Sequence, residues 1–433
     1  MSDINELVRL LKELDNDLAK CMQCGMCQSV CPLYAETARE ADVARGKLVL
    51  LQNLSRQILK DPEAVKQRLD KCLLCGSCAA ACPSGVPVIK VFLKARAIIS
   101  GYLGLSPIER ILFRKILVRP DRLERLFRWV ARFQKGFSVP ADETIGSSCA
   151  RIVSPLIGNR HYVPLSKTPW HKKKPRDSIR ADAQGHRILF YPGCLVDNVF
   201  PGVADAAMRV FDHHRVRAFT ADAPACCGIP ALSSGDTKSF EALVRINLDG
   251  FHSFDFDFLV TPCATCTATI GTLWPYMTSH FRKSERDRIR VLAEKTMDIN
   301  QFLVDIVGIT PKVAGPGIEK PIVTYHDPCH LNKTLGVFNP PRALIDASGG
   351  WKRIEMREPG RCCGMGGSFN LAHYDLSRKI GEKKRSAILE TKPDVVATAC
   401  PACMMQIVDL LSQAGASIPV KHVIELYAEG LGV

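Results

Sequence analysis

A chain of 433 residues with 46% hydrophobic composition is longer than one core usually supports and too apolar for bulk disorder, so two or three compact domains are expected. Nineteen cysteines in a chain of this length exclude a small secreted disulfide scaffold and favour metal or cluster ligation in a reducing compartment. The formal charge of +14 argues only weakly for nucleic acid, because it counts thiols as neutral and metal-bound thiolates would offset part of it.

The opening residues, Met1-Ser-Asp-Ile-Asn-Glu, carry acids rather than the apolar stretch of a signal peptide. The nearest thing to a membrane span, Val395 to Leu411, is interrupted by Thr398, Pro401, Gln406 and Asp409. A cytoplasmic protein is expected, with the inner face of the membrane as a further place of contact. Two different duplications then organise the chain. Cys21, Cys24, Cys27 and Cys31 recur as Cys72, Cys75, Cys78 and Cys82, each displaced by 51 residues, and these define a first domain, 1–105. Residues 106–136 read as two basic amphipathic helices separated at Pro120. Ile108, Ile111, Leu112, Ile116, Leu123, Leu126, Phe127 and Val130 fall at helical spacing, and arginines and lysines form the other face. That face suits solvent, an acidic partner or anionic lipid. A stretch rich in Pro, Lys and Arg, 137–186, reads as a linker.

From Arg187 short apolar runs alternate with helical patterns: Ile188-Leu-Phe-Tyr, helices near 202–213 and 237–250, then Phe256-Asp-Phe-Leu-Val. The second copy repeats this with Ile322-Val-Thr-Tyr, a helix near 372–389, and Val395-Val-Ala-Thr. Such alternation predicts small α/β units with mainly parallel strands.

Both N-terminal runs, Cys21-x-x-Cys24-x-x-Cys27-x-x-x-Cys31-Pro32 and Cys72-x-x-Cys75-x-x-Cys78-x-x-x-Cys82-Pro83, have the bacterial ferredoxin spacing. There, three close thiolates wrap one face of a cubane [4Fe–4S] cluster and the fourth cysteine ligates the other cluster. The expected sets are Cys21, Cys24, Cys27 and Cys82 for one cubane, and Cys72, Cys75, Cys78 and Cys31 for the other. A tight loop is needed to aim several thiolates at one point with its amides facing the sulfides, and Pro32 and Pro83 turn the chain away. Zinc ribbons also use C-x-x-C pairs, but they do not need three cysteines at this spacing, followed by Cys-Pro, twice.

In the C-terminal part, Cys194, Cys226-Cys227 and Cys263-x-x-Cys266 recur as Cys329, Cys362-Cys363 and Cys400-x-x-Cys403, displaced by 135 to 137. Five cysteines per half exceed what a tetrahedral zinc or a simple cubane requires. Adjacent cysteines point apart in extended chain, so each pair must sit on a turn, which Gly228 and Gly364 permit.

At these residues a family resemblance becomes specific. The stretches GCLVD, ACCGIP and TPCATC, and YHDPCHL, RCCGMGGSF and TACPACM, look like the CCG domains of the heterodisulfide reductase catalytic subunit, whose five-cysteine motifs are associated with noncubane [4Fe–4S] clusters. Behind a double ferredoxin motif, the arrangement is similar to the iron–sulfur subunits of glycolate oxidase, of D-lactate dehydrogenase complexes and of anaerobic glycerol-3-phosphate dehydrogenase, over nearly the whole chain. The resemblance implies an α+β multidomain protein: a helical two-[4Fe–4S] ferredoxin-like domain followed by tandem α/β CCG domains, 187–312 and 313–433, related by pseudo-twofold duplication. It also implies that Cys194, Cys226, Cys227, Cys263 and Cys266 hold one noncubane cluster. Cys329, Cys362, Cys363, Cys400 and Cys403 would hold a second cluster or zinc; relatives often lose ligands in one half, and this sequence loses none.

Weaker signals remain. Cys149 matches neither pattern and reads as an ordinary thiol. His326 and His330 flank Cys329, either as donors to a cluster sulfide or as loop histidines satisfied by backbone. Gly364-Met-Gly-Gly367 lacks the context of a phosphate loop and reads as backbone room beside a cluster.

Nothing resembles a flavin or nicotinamide site, so no residue of this chain is expected to be catalytic on an organic substrate. The chain would relay electrons from an FAD-containing dehydrogenase subunit, acting on a 2-hydroxy acid such as D-lactate or glycolate, to a downstream acceptor: a quinone, ferredoxin, cytochrome or electron-transferring flavoprotein. The alternatives are a heterodisulfide reductase-like subunit acting on a disulfide at a noncubane cluster, and the iron–sulfur subunit of anaerobic glycerol-3-phosphate dehydrogenase. A zinc scaffold binding nucleic acid is disfavoured, because the ferredoxin runs have no reason to exist in it.

Overall fold

The computed structural model describes residues 4–151, 158–173, 185–222, 224–311 and 320–433. Helix α1 (Ile4–Leu11) precedes the first cysteine loop, and α2 (Ala44–Ser55) and α3 (Pro62–Asp70) follow it. The start of α3 is set by Asp61, whose carboxylate accepts from the Ala64 amide at 3.0 Å, with Pro62 at the first helical position. The second cysteine loop leads into α4 (Val88–Leu103), whose buried face carries Val91, Phe92, Ala95 and Ile99. A helical stretch capped by Ser106 runs from Pro107 to Leu117, and α5 (Pro120–Phe137) starts anew at Pro120, where the missing amide hydrogen ends the preceding turn.

The segment 137–186, expected as a linker, carries structure instead. Strands β1 (Ser138–Asp142), β2 (Ser147–Ala150) and β3 (His161–Tyr162) form an antiparallel sheet. Its anchors are polar: the His161 amide donates to Asp409 at 2.8 Å, and Ser147 and the His161 ring both hydrogen-bond Ser412. Composition alone hides such anchors. Residues 152–157 and 174–184 of that segment lie outside the described ones.

Strand–helix alternation then follows as expected. The first series is β4 (Arg187–Phe190), α6 (Pro201–His213), β5 (Arg217–Thr220), α7 (Thr237–Phe251), β6 (Phe258–Thr261), α8 (Lys283–Lys295) and β7 (Thr296–Asp298). The second is β8 (Ile322–His326), α9 (Asn339–Ser348), β9 (Lys352–Arg353), α10 (Tyr374–Glu390), β10 (Val395–Thr398), α11 (Pro401–Gln413), β11 (Val420–His422) and α12 (Val423–Leu431). All pairings are parallel, in the orders β5-β4-β6-β7 and β11-β10-β8-β9. Counted within its own series, each sheet reads 2-1-3-4 in one direction or, for the second, 4-3-1-2. The central strands are apolar runs rather than alternations, because helices cover both faces.

The chain divides into two compact units. One comprises the residues up to Val118 with Gly228–Leu243 and Gly364–Ile380; the other comprises Arg119–Cys227, Val244–Cys363 and Gly381–Val433. The first unit takes in the expected domain 1–105 together with two later segments, both of which begin at the glycine that follows a Cys-Cys pair. Within this unit Arg96, buried on α4, donates to the Ser233 carbonyl at 2.7 Å and to the Cys72 carbonyl at 2.8 Å, and Gly235 lies so close that a Cβ would meet the Arg96 carbonyl at 2.6 Å. In the second unit one continuous core takes in Phe190 and Val260 of the first sheet, Val323 and Ala397 of the second, and Phe211, Leu344 and Leu426 from helices. Among the described residues no helix is long and apolar enough to cross a membrane.

Helix α12 opens on a capping box in which the His422 amide donates to Glu425 at 2.7 Å and the Ile424 amide donates to the His422 ring at 3.2 Å. Burial pushes the Glu425 carboxyl up to about 7. A raised carboxyl pKa favours folding fully below the unfolded value of about 4.5 and loses that contribution as pH climbs to about 7. Glu425→Gln, which keeps the acceptor, is therefore expected to stabilise the protein by about 1–2 kcal/mol at pH 8 and by almost nothing at pH 4.5. Urea unfolding at the two pH values measures the difference.

Candidate metal centres

The two N-terminal loops have the same backbone. The residue before each second cysteine, Gln23 or Leu74, and the one after it, Gly25 or Gly76, all have positive φ, between 55° and 86°. Glycine adopts this freely; glutamine and leucine do so at a cost of about 1 kcal/mol, and such strain persists where a site demands it. The left-handed turns curl each loop around a cavity. The first cavity is lined by Cys21, Cys24, Cys27 and Cys82, and the second by Cys31, Cys72 and Cys75; Cys78 borders both. Each cavity therefore gathers cysteines of one run and the last cysteine of the other.

The surroundings differ. Around the first cavity Cys24 is exposed and Met22 and Met26 are 68% and 53% exposed, whereas Leu73, Leu74 and Cys75 of the second loop are buried. Each has its own cation. Arg45 donates to the Gln23 carbonyl at 3.0 Å and pairs with Glu40 at 2.7 Å. Lys47, 1% exposed, donates to the Asp42 carbonyl and lines the second cavity; burial lowers its pKa, and the nearby Cys72 and Cys31 oppose that. Burial pushes the Cys31 thiol up to about 11 and Cys78 well above its ordinary value, so loading a metal here must expel protons. Gly366 packs on Leu73, with a Cβ 3.2 Å from it, so the glycine-rich stretch gives backbone room beside the second N-terminal loop.

In the second unit the cysteines collect at the carboxyl ends of the parallel strands, where α/β sheets build their sites. Cys263 and Cys400 cap the helices that follow β6 and β10, and Cys194 and Cys329 lie just beyond β4 and β8. The thiols influence one another in a chain of neighbours, Cys194, Cys226, Cys227, Cys266, Cys263, Cys400, Cys403 and Cys363, and the Cys363 and Cys403 sulfurs lie 3.6 Å apart. This series crosses from one half to the other between Cys263 and Cys400, where Ala264 also donates to the Ala399 carbonyl. Hydrogen bonds from neighbouring thiols, then burial, push Cys226, Cys266 and Cys403 up. Cys400 is pushed down, because Cys263 and Cys403 hydrogen-bond to it. Cys362 is buried and Cys329 half-buried. Cys149 lies apart on β2, opposite Val139 and His161.

Glycines shape the turns after the paired cysteines, Gly228 at φ +95° and Gly364 at φ +96°. At Gly228 a Cβ would also come 2.7 Å from the Phe240 ring. Gly228→Ala is expected to cost about 2–3 kcal/mol from strain and overpacking together, read as a lowered urea midpoint with unchanged slope.

Several residues around the second half carried little or no sequence signal. Lys384 is fully buried and donates to the Glu358 and Pro359 carbonyls at 2.8 and 2.9 Å; burial draws its pKa down to about 8 against the pull of Cys363. The Thr265 hydroxyl, within the first C-x-x-C, hydrogen-bonds His330 at 3.0 Å and lies 3.6 Å from the Cys400 sulfur. His330 thus reaches a cysteine of its own half through a residue of the other. His326 is completely buried beside Cys363 and Cys403, and burial draws its pKa down to about 3, leaving a neutral imidazole. Cys362, Cys363 and Cys403 around the buried Lys384 ammonium fit a thiolate-bound metal centre.

Comparison with known proteins agrees with these features. A 4Fe-4S dicluster domain family matches residues 17–86, and the CCG cysteine-rich domain family matches residues 188–271 and 323–408. The chain is 26% identical over 431 residues to the probable glycolate oxidase iron-sulfur subunit of Bacillus subtilis, covering 96% of this chain and 95% of that one. It is 26% identical to a subunit of the dihydromethanophenazine:CoB--CoM heterodisulfide reductase of Methanosarcina barkeri, covering 96% and 95%. Lactate utilization protein A of an Exiguobacterium species is 28% identical over 56% of this chain and 98% of its own.

Proposed function

For an iron–sulfur chain of the glycolate oxidase subunit type, we propose that two cubane [4Fe–4S] clusters occupy the N-terminal cavities and relay electrons for a flavin-dependent 2-hydroxy-acid dehydrogenase. The observation that carries this reading is the exchange of ligands: Cys82 lines the cavity of the first run and Cys31 that of the second. Cys21, Cys24, Cys27 and Cys82 would hold one cluster, and Cys72, Cys75, Cys78 and Cys31 the other. When bound, the clusters supply one-electron storage at potentials set by charge, hydrogen bonds and exposure. The chain's part is to hold them, to keep water from the second with Leu33, Leu73 and Phe92, and to place Arg45 and Lys47 where negative charge accumulates. An FAD-containing subunit would oxidise D-lactate or glycolate and pass electrons singly to this chain, and a quinone or soluble carrier would receive them.

Each cysteine-rich half is proposed to hold one further centre on its five cysteines, the halves being copies of one duplicated unit; the shared strand order and cysteine spacing support this. Anaerobic purification with iron, sulfide and zinc analysis tests the assignment. About sixteen irons, or about twelve with one zinc, are expected. About eight irons without zinc would sink the C-terminal centres and leave the cubane relay intact.

A second reading is supported by the meeting of Cys263 with Cys400. Centres in adjoining halves could act together on one disulfide, as the name of the Methanosarcina relative suggests. Turnover of a disulfide by the isolated chain with a low-potential dye would support it, and relay of electrons without such turnover would leave the first reading alone.

A further inference from the structure

The two C-terminal halves share strand order and cysteine spacing, and one of the buried positions at which they differ lies beside the cysteines. Three residues before the first cysteine of each half stands Tyr191 in one and His326 in the other. The Tyr191 hydroxyl donates to the Ala225 carbonyl at 2.6 Å, which closes its polar requirement inside the protein. His326 has no such closure. It is completely buried, and neither ring nitrogen has a well-formed hydrogen bond: the Pro359 carbonyl approaches one, and nothing meets the other. An imidazole nitrogen left this way loses its hydration with nothing in return, and a native interior seldom tolerates that without a partner.

The surroundings name the partner. One His326 ring nitrogen and the sulfurs of Cys363 and Cys403 lie within 4.8 Å of one another, and those two sulfurs are 3.6 Å apart. Three convergent donors at this spacing suit one metal ion, since imidazole and thiolate are the ligands that zinc and iron take. Other charges do not compete for the ring. The adjacent acid, Asp327, is held by both terminal nitrogens of Arg342 at 2.8 Å, and Lys384 spends its protons on the carbonyls of Glu358 and Pro359. The Pro359 carbonyl faces His326 and already accepts from the Asp327 amide, a setting in which a backbone carbonyl can orient a ligating ring.

We propose that His326 supplies a nitrogen ligand, alongside Cys363 and Cys403, to the metal centre of the second cysteine-rich half, so that the two halves hold chemically different centres. At the corresponding place the first half has Tyr191, whose hydroxyl is already taken by the Ala225 carbonyl. A nitrogen ligand on iron would raise the potential of the second centre above that of an all-thiolate counterpart; the same three donors also suit zinc. The inference rests on the reading that the second half holds a metal at all.

The test starts from the full chain carrying 15N-histidine. If the second centre is iron, pulsed EPR is expected to show a strong, directly bonded histidine nitrogen coupling, larger than that of amides hydrogen-bonded to sulfide. If it is zinc, the zinc absorption edge is expected to show nitrogen together with sulfur. His326→Tyr, which copies the residue of the first half, is expected to lose the coupling or the nitrogen shell while the other centres keep their metal. A sulfur-only environment in the unaltered protein at both metals overturns the proposal. Cys403→Ala separates the two failures: metal content unchanged by it removes the centre itself and this ligand with it, whereas a loss of metal without any histidine nitrogen refutes only the role of His326.

Discussion

Cys31→Ala is expected to remove the cluster formed with Cys72, Cys75 and Cys78 and to spare the one formed with Cys21, Cys24 and Cys27; Cys82→Ala is expected to do the reverse. Local spacing alone would pair each fourth cysteine with its own run. The folded chain separates them, because Cys31 lines the cavity of the second loop and Cys82 that of the first. In each variant about four of the eight cubane irons and as many labile sulfides should be lost, or, where a three-iron species survives, about one iron and no sulfide. The surviving EPR signal identifies which cluster remains. If Cys31→Ala damaged the exposed first cluster instead, the exchange of ligands would be wrong and each run would serve itself.

The second large effect concerns charge. Lys47→Met should lower the reduction potential of the second cubane by on the order of 100 mV. Reduction adds an electron to a cluster that is already negative, and a buried ammonium stabilises the added charge. One unit charge at about 6 Å in an effective dielectric of about 20 contributes on the order of 3 kcal/mol, which sets that magnitude. Methionine preserves the aliphatic stem and leaves the Asp42 carbonyl without its donor, a stability cost of about 1–3 kcal/mol. Arg45→Gln should shift the first cubane less, because Arg45 already pairs with Glu40 and faces water. EPR-monitored redox titration of both variants measures the two shifts. Equal small shifts would mean that water reaches the second cavity despite its apolar wall.

That the N-terminal cysteines gather around two cavities was legible because a metal site is a local demand: two or three thiolates must come from one tight loop, as the spacing of Cys21, Cys24 and Cys27 has them do. Strands such as Ile322–His326 and Val395–Thr398 were legible for a similar reason, since buried parallel strands are short apolar runs with a loop at each end. What the pattern could not carry was long-range pairing. Nothing in the spacing of Cys263 or Cys400 says that they meet, and nothing about Thr265 says that it serves His330. His326 stood out only by its nearness to Cys329; its proximity to Cys363 and Cys403 depends on three separate stretches of chain coming together. The strands between 138 and 162 were hidden because their anchors, Ser147 and His161 on Asp409 and Ser412, are polar and join residues far apart in the chain.

The composition of the first unit bears on how the protein is made. Its cysteine runs leave the ribosome early, but the pieces that complete it, Gly228–Leu243 and Gly364–Ile380, emerge much later. Gly366, which abuts Leu73 in the second cysteine loop, is synthesised only when most of the chain already exists. During that interval the nascent N-terminal segment has its thiols but not its final packing, and pairings this distant form slowly. The second cysteine loop is therefore made long before the segment that packs on it, and the first unit is completed only by the last-made pieces of the chain.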